Sequence, residues 1–240
     1  MARRPAPERD ELNGWWRAGV AFVGPLARLL FRLRFVDAER IPAQGAAILA
    51  CNHISVVDGP LLALPPAKER GRSIRFLVAA EIFRAPVIGA ALRAFRQIPI
   101  RRGQADVGAL DEAIETIRSG ALAGIFPEGR VNPGDPSSMQ RVRRGAARMA
   151  LASGAPVIPV GIWGTHMRWP RGRLRLAAPL RPVVAIAFGT PMTPSGSADR
   201  LEDVDVLTAE IADAIRDQMH RARAAAGGSG HGSSEPFGEV

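Results

Sequence analysis

The chain has 240 residues, 47% of them hydrophobic, and a net charge of +9. At this length roughly 70–75% of the unfolded surface is buried on folding, so one substantial core is expected. The positive charge calls for an anionic partner, but with tyrosine absent and aromatic residues at 5% a base-stacking platform is poorly supplied, so no nucleic acid is expected.

Residues 1–13 carry no secretory pattern, because two early arginines are followed by Pro, Glu, Asp and Asn before any apolar stretch. They read as a flexible N-terminus. From 14 to 38, Trp15, Trp16, Phe22, Leu26, Leu29, Leu30, Leu33 and Phe35 recur at near-helical spacing. Arg17, Pro25, Arg28, Arg32 and Arg34 interrupt them, so the run is too broken to span a bilayer. Tryptophan with arginine on an amphipathic helix suits a membrane surface; packing on the protein's own core is the alternative.

Beyond residue 46, apolar runs near 46–51, 74–78, 96–100, 121–126, 157–163 and 183–188 alternate with helical patterns. This predicts an α/β fold: a single domain, 39–222, with a mixed, mostly parallel central sheet flanked by helices and preceded by the amphipathic segment. Val107, Leu110, Ile114 and Ile117 form one helical stripe ending before Gly120, and Val142, Ala146, Met149 and Ala150 form another ending before Gly154. A helix is expected over 201–219. Residues 223–240, rich in Ala, Gly and Ser, read as a disordered tail.

Basic residues concentrate near the candidate motifs, with nine basic and two acidic side chains between Lys68 and Arg102. All but one of the 32 basic residues are arginines, whose planar fork matches phosphate. Cys51 is the only cysteine, which rules out an internal disulfide and fits a reducing cytoplasm; its place in an apolar run reads as packing.

The chemistry concentrates in Asn52-His53-Ile54-Ser55-Val56-Val57-Asp58, just after the first apolar run. A histidine takes a proton from a hydroxyl near neutral pH, and a carboxylate on its other nitrogen fixes the tautomer. Along one straight helix the two side chains would stand about 140° apart, so the pairing needs a turn between strand and helix. The competing reading is that Asp58 only caps the helix starting at Gly59-Pro60. A second block, Phe126-Pro127-Glu128-Gly129-Arg130, places a carboxylate, a permissive backbone and an arginine at a strand end. Between the two lies Ile98-Pro99-Ile100-Arg101-Arg102. His166 reads as a solvated loop histidine, and no His, Asp or Glu cluster has metal-ligand spacing.

In this order and spacing NHISVVD, IPIRR, FPEGR and VIPVGIWG resemble the four blocks of the glycerolipid acyltransferases, among them the 1-acylglycerol-3-phosphate acyltransferases. The resemblance covers roughly residues 40–190. It implies an O-acyltransferase in which His53 deprotonates the acceptor hydroxyl for attack on an acyl thioester, Asp58 orients it, and Glu128 serves the catalytic site. It implies further that Arg101 holds the acceptor's phosphate, that Gly129 and Arg130 complete the acceptor site, and that the block from Val157 to Gly161 lines the acyl or donor site. No cofactor or metal is implied, since acyl-CoA or acyl carrier protein enters as the donor substrate. The expected partners are membrane lipids, a lysophospholipid acceptor and that donor, at the cytoplasmic face of the cell membrane as a peripheral protein.

Two departures from the family pattern bear on the acceptor. Many relatives have a threonine between the glycine and the arginine of the third block, whereas Arg130 follows Gly129 directly. Many also carry a lysine shortly before the position of Glu81, where this chain reads Val78-Ala79-Ala80. Both make another lysolipid or a glycolipid acceptor more credible; the alternative of another class is a non-catalytic protein that binds anionic lipid, against which stand the intact His53, Asp58 and Glu128.

Overall fold

The computed structural model describes residues 12–101, 107–170, 174–175 and 180–227. Its strands are β1 (Arg32–Val36), β2 (Ala47–Cys51), β3 (Ile74–Ala79), β4 (Ile98–Ile100), β5 (Leu122–Ile125), β6 (Val157–Trp163) and β7 (Val183–Phe188). They form one sheet in the order β1-β7-β6-β2-β5-β3-β4. Every neighbouring pair is parallel except β6 with β7, so the sheet is mixed and mostly parallel, as expected.

The helices are α1 (Gly14–Leu30), α2 (Asp58–Leu62), α3 (Leu64–Arg70), α4 (Pro86–Ala94), α5 (Val107–Arg118), α6 (Gly145–Ser153), α7 (Thr165–Arg168) and α8 (Leu201–Gly227). Strand β2 shows how they cover the sheet. All five of its residues are buried, and its period-2 alternation sends Leu49 and Cys51 into a core shared with α1, α2 and α3. Ile48 and Ala50 enter the opposite core, with Ile114 and Ile117 of α5, Met149 of α6 and Ile211 of α8.

Three expectations are corrected. Phe31 leaves α1 in extended conformation and residues 32–36 pair with β7, so the sheet begins inside the stretch read as helical. Leu33 and Phe35 pack against the core while Arg32 and Arg34 alternate with them; the arginines look like breaks in a helix but mark the solvent face of an edge strand. Val142 precedes α6 rather than joining its stripe, because the backbone on either side of it is committed elsewhere: Gln140 N–H donates to Glu128 and Arg143 N–H to the Pro127 carbonyl. Lastly, α8 runs through residue 223 to Gly227, where Ala222, Ala225 and Ala226 pack against Ala185 and Ala187 of β7. Alanine buries little but is the strongest helix former, and a composition reading misses that. Residues 1–11 and 228–240 of the expected flexible ends lie outside the described residues.

One close backbone approach joins β6 to α8. A Cβ on Gly161 would stand 2.1 Å from the carbonyl carbon of Gln218, which is backbone and cannot swing aside. Gly161→Ala is therefore expected to cost about 1–3 kcal/mol through overpacking. That corresponds to a thermal midpoint lowered by roughly 2–12 °C for a chain of this size. A midpoint within 1 °C of wild type would contradict this close approach.

Candidate active site

Strands β2, β3, β4, β5 and β6 are mutually parallel, so the loops after their C-terminal ends gather along one edge of the sheet, where open α/β sheets bind ligands. The loop after β2 carries His53, that after β5 carries Glu128, that after β6 carries Thr165, and β4 ends just before Arg101.

The loop after β2 first extends the strand by proxy. The Asn52 side-chain amide donates to the Ile162 carbonyl at 3.0 Å and accepts from Ile162 N–H at 2.7 Å, continuing the ladder to β6. The chain then turns through Ser55, Val56 and Val57, and Asp58 opens α2. That turn brings the two residues together: His53 Nδ1 lies 2.9 Å from Asp58 Oδ2. Oδ2 also accepts from the backbone N–H groups of Ile54 and Ser55, each at 2.7 Å, and Oδ1 accepts from the Thr165 hydroxyl at 2.7 Å. Asp58 therefore points back into its own loop and does not cap α2. Its side chain has no exposure, and all four partners are donors to a group that as a carboxylate is acceptor-only.

With Asp58 as acceptor, Nδ1 carries a proton, which in the neutral ring leaves the lone pair on Nε2. The ring stacks on Phe126 with centroids 4.0 Å apart and an interplanar angle of 17°, and Phe126 stacks in turn on Phe76. The histidine side chain is 17% exposed, so a hydroxyl can reach it.

Glu128 is buried, and both its oxygens bind backbone: Oε1 accepts from His53 N–H at 2.8 Å and Oε2 from Gln140 N–H at 2.9 Å. It clamps the loop that carries His53, a contact legible only in three dimensions. Burial pushes its carboxyl above the ordinary glutamate range, while the two backbone N–H groups and His53 pull it back. A carboxyl raised on folding makes stability fall as the pH climbs from its ordinary value to the raised one, so above that window the fold keeps Glu128 at a cost.

Gly129 adopts φ +73° in the turn after β5, and the Arg143 guanidinium lies over it, its Nε 2.9 Å from where a Cβ would be. Arg130 is exposed and donates through Nε to Gln140 Oε1 at 2.8 Å. Arg101 is exposed three strand positions from β2, a lateral offset of roughly 14 Å at ~4.8 Å per strand. The fold thus brings Arg101 to the edge that carries His53, though not beside it.

His166 is half-buried, edge-on to Trp163, with its imidazole pushed down chiefly by burial; it is not the solvated histidine expected. Cys51 is buried, and burial with the charges of Asp58 and Glu128 holds its thiol well above the usual range, which suits packing and not attack. Thr165 and Arg143 went unread in the sequence, since each acts through a contact between distant loops. Among the described residues no group of three or more His, Cys, Asp or Glu side chains is placed to hold a metal ion.

The family profile described as Acyltransferase matches residues 32–163, which hold the whole β2 loop and the turn after β5. The chain belongs to the acyltransferase family. An uncharacterised protein of Mycobacterium tuberculosis is 29% identical over 238 residues, covering 84% of this chain and 64% of its own length. This acyltransferase-family chain thus spans a little under two thirds of that relative. A chloroplastic 1-acyl-sn-glycerol-3-phosphate acyltransferase of Arabidopsis thaliana is 29% identical over 147 residues, covering 59% of this chain and 39% of its own. Among solved structures, the 1-acyl-sn-glycerophosphate acyltransferase PlsC of Thermotoga maritima shares the fold with a TM-score of 0.68 and 24% identity, over 87% of this chain and 79% of that one.

Glu128→Gln sets an amide NH2 against a backbone N–H, losing one of the two clamps at a cost of about 1–3 kcal/mol. Amide exchange at His53 or at Gln140 should quicken by about 10–100-fold. Equal protection of both amides in the variant and wild type would remove the clamp from the site.

Proposed function

We propose that this chain is an O-acyltransferase that moves a fatty acyl group from acyl-CoA or acyl carrier protein to the free hydroxyl of 1-acylglycerol-3-phosphate, giving phosphatidic acid. The observation that carries it is the His53–Asp58 pair, with Nδ1 held by the carboxylate and the imidazole partly exposed. Nε2 takes the hydroxyl proton as the acceptor oxygen attacks the thioester carbonyl. The tetrahedral intermediate collapses with cleavage of the carbon–sulfur bond, and the imidazolium proton passes to the departing thiolate. Asp58 stabilises the transient imidazolium. The sequence of steps balances without redox change and without an acyl-enzyme.

Two curated relatives named as 1-acyl-sn-glycerol-3-phosphate acyltransferases, of Arabidopsis thaliana and Bacillus subtilis, support the acceptor. One observation favours a second reading of the same chemistry: Arg130 is turned onto Gln140 and no lysine stands at 78–80, which leaves room for another lysolipid or a glycolipid.

The substrates live in a bilayer, and α1 offers a surface for one. At 100° per residue, Trp15, Phe22, Leu26 and Leu29 fall on one stripe, all exposed, while Trp16 and Ala27 face the core. An unpacked apolar stripe beside arginines suits interfacial insertion. Among the described residues no helix is long and apolar enough to cross a membrane. We place the protein as peripheral, on the cytoplasmic face, the compartment that agrees with a chain holding one unpaired cysteine.

Thiol release from a long-chain acyl-CoA or acyl carrier protein should require lysophosphatidate and should fall by at least ~10³-fold in His53→Ala, given the catalytic weight of such a base. Wild-type activity confined to other lysolipids would move the acceptor to the second reading, and thiol release unchanged in His53→Ala would sink the mechanism. For the membrane surface, Phe22→Ser with Leu29→Ser should weaken binding to phospholipid vesicles by ~10-fold or more while the thermal midpoint holds. Unaltered flotation with vesicles would remove α1 from the interface.

A further inference from the structure

Thr165 lies beyond the last of the sequence blocks, yet its hydroxyl donates to Asp58 Oδ1 at 2.7 Å and both residues have no exposure. The two carboxylate oxygens are unequally held. Oδ2 is crowded by His53 Nδ1, Ile54 N–H and Ser55 N–H, all from its own loop. The hydrogen bond to Oδ1 comes from the other side of the site, across 107 residues of chain. The terminal torsion of an aspartate is broad, so bonds to one oxygen alone leave the plane of the group poorly defined.

The turn that delivers Thr165 tolerates little movement. Gly164 sits at φ +97°, and a Cβ there would stand 2.1 Å from the Val183 carbonyl oxygen. Asn52 bonds both backbone groups of Ile162 on one side of Thr165, and the Ser55 hydroxyl donates to the Trp169 carbonyl on the other. Thr165 is therefore locked to the loop of the base before and after its own position. Its hydroxyl makes no capping bond for α7, whose N-cap is Gly164 with no side-chain cap.

We propose that Thr165 is a positioning residue for the His53–Asp58 pair: by donating to Oδ1 it sets the carboxylate plane, so that Oδ2 stays in line with His53 Nδ1 and the lone pair stays on Nε2. The catalytic consequence rests on the reading of His53 as base. Thr165 acts through Asp58 and need not touch substrate.

The test compares Thr165→Val, which keeps the shape and removes the donor, with Thr165→Ser, which keeps the donor. In full-length protein, kcat for acyl transfer should fall about 10–100-fold in Thr165→Val with KM for both substrates within ~3-fold, as when a group aligned only for the chemical step is lost. Thr165→Ser should recover kcat to within ~3-fold of wild type. Independently of turnover, the hydrogen-bonded Nδ1 proton of His53, assigned by its loss in His53→Gln, should be visible by NMR in wild type and Thr165→Ser and be lost in Thr165→Val. Should Thr165→Val fail to fold, Thr165→Ala carries the same comparison. A wild-type protein that transfers no acyl group would overturn the base reading of His53, while the imidazole resonance still decides Thr165. If Thr165→Val keeps both the resonance and kcat, or Thr165→Ser behaves as Thr165→Val does, the positioning role is refuted.

Discussion

A carboxylate cut off from water costs several kcal/mol unless its lone pairs are met, and Asp58 is wholly buried. Four donors meet it, three from residues 53–55 and one from Thr165. The first three dictate the turn between His53 and α2, since only a backbone folded over the carboxylate can aim Ile54 N–H and Ser55 N–H at one oxygen. The fourth requires the end of β6 to lie beside the end of β2. Local backbone shape and long-range topology thus answer to the same buried charge.

The sheet supplies that topology. Parallel pairing of β2 with β5 and with β6 places three loops side by side at one edge, and each contributes a group that bears on the His53–Asp58 pair. From the β5 loop Glu128 grips the His53 backbone, and the flat face of Phe126 supports the ring. From the end of β6 come the Ile162 backbone groups bound by Asn52, and from the start of α7 comes Thr165. A second buried carboxyl so near Asp58 is unfavourable; burial and the Asp58 charge both raise Glu128. Both groups are held against their desolvation by the hydrogen bonds that meet them.

The motifs were legible in sequence because each is a short string whose chemistry is carried by residue type: a histidine and an aspartate five positions apart, and a glutamate and a glycine after an apolar strand. The strands of the sheet interior were legible for a related reason, since continuous apolar runs such as Ala47–Cys51 have nowhere to go but a two-sided core. Strand β1 escaped because its alternation of Arg with Leu and Phe is short and follows a true helix without a break in composition. The last turns of α8 escaped because alanines look like filler until a neighbouring sheet gives them a surface.

Taken by itself, the sequence determined the α/β class and the residue types of the His53–Asp58 pair, because period and residue chemistry are local properties. Only the tertiary structure decided what those residues touch. Asp58 is a partner of His53 and not a helix cap; Glu128 spends both oxygens on backbone; Arg130 turns to Gln140; and Thr165 completes the carboxylate from 107 residues away. Each of these is a hydrogen bond between loops that the order of strands brings together, and a hydrogen bond depends on separations of tenths of an ångström that spacing along a chain does not encode.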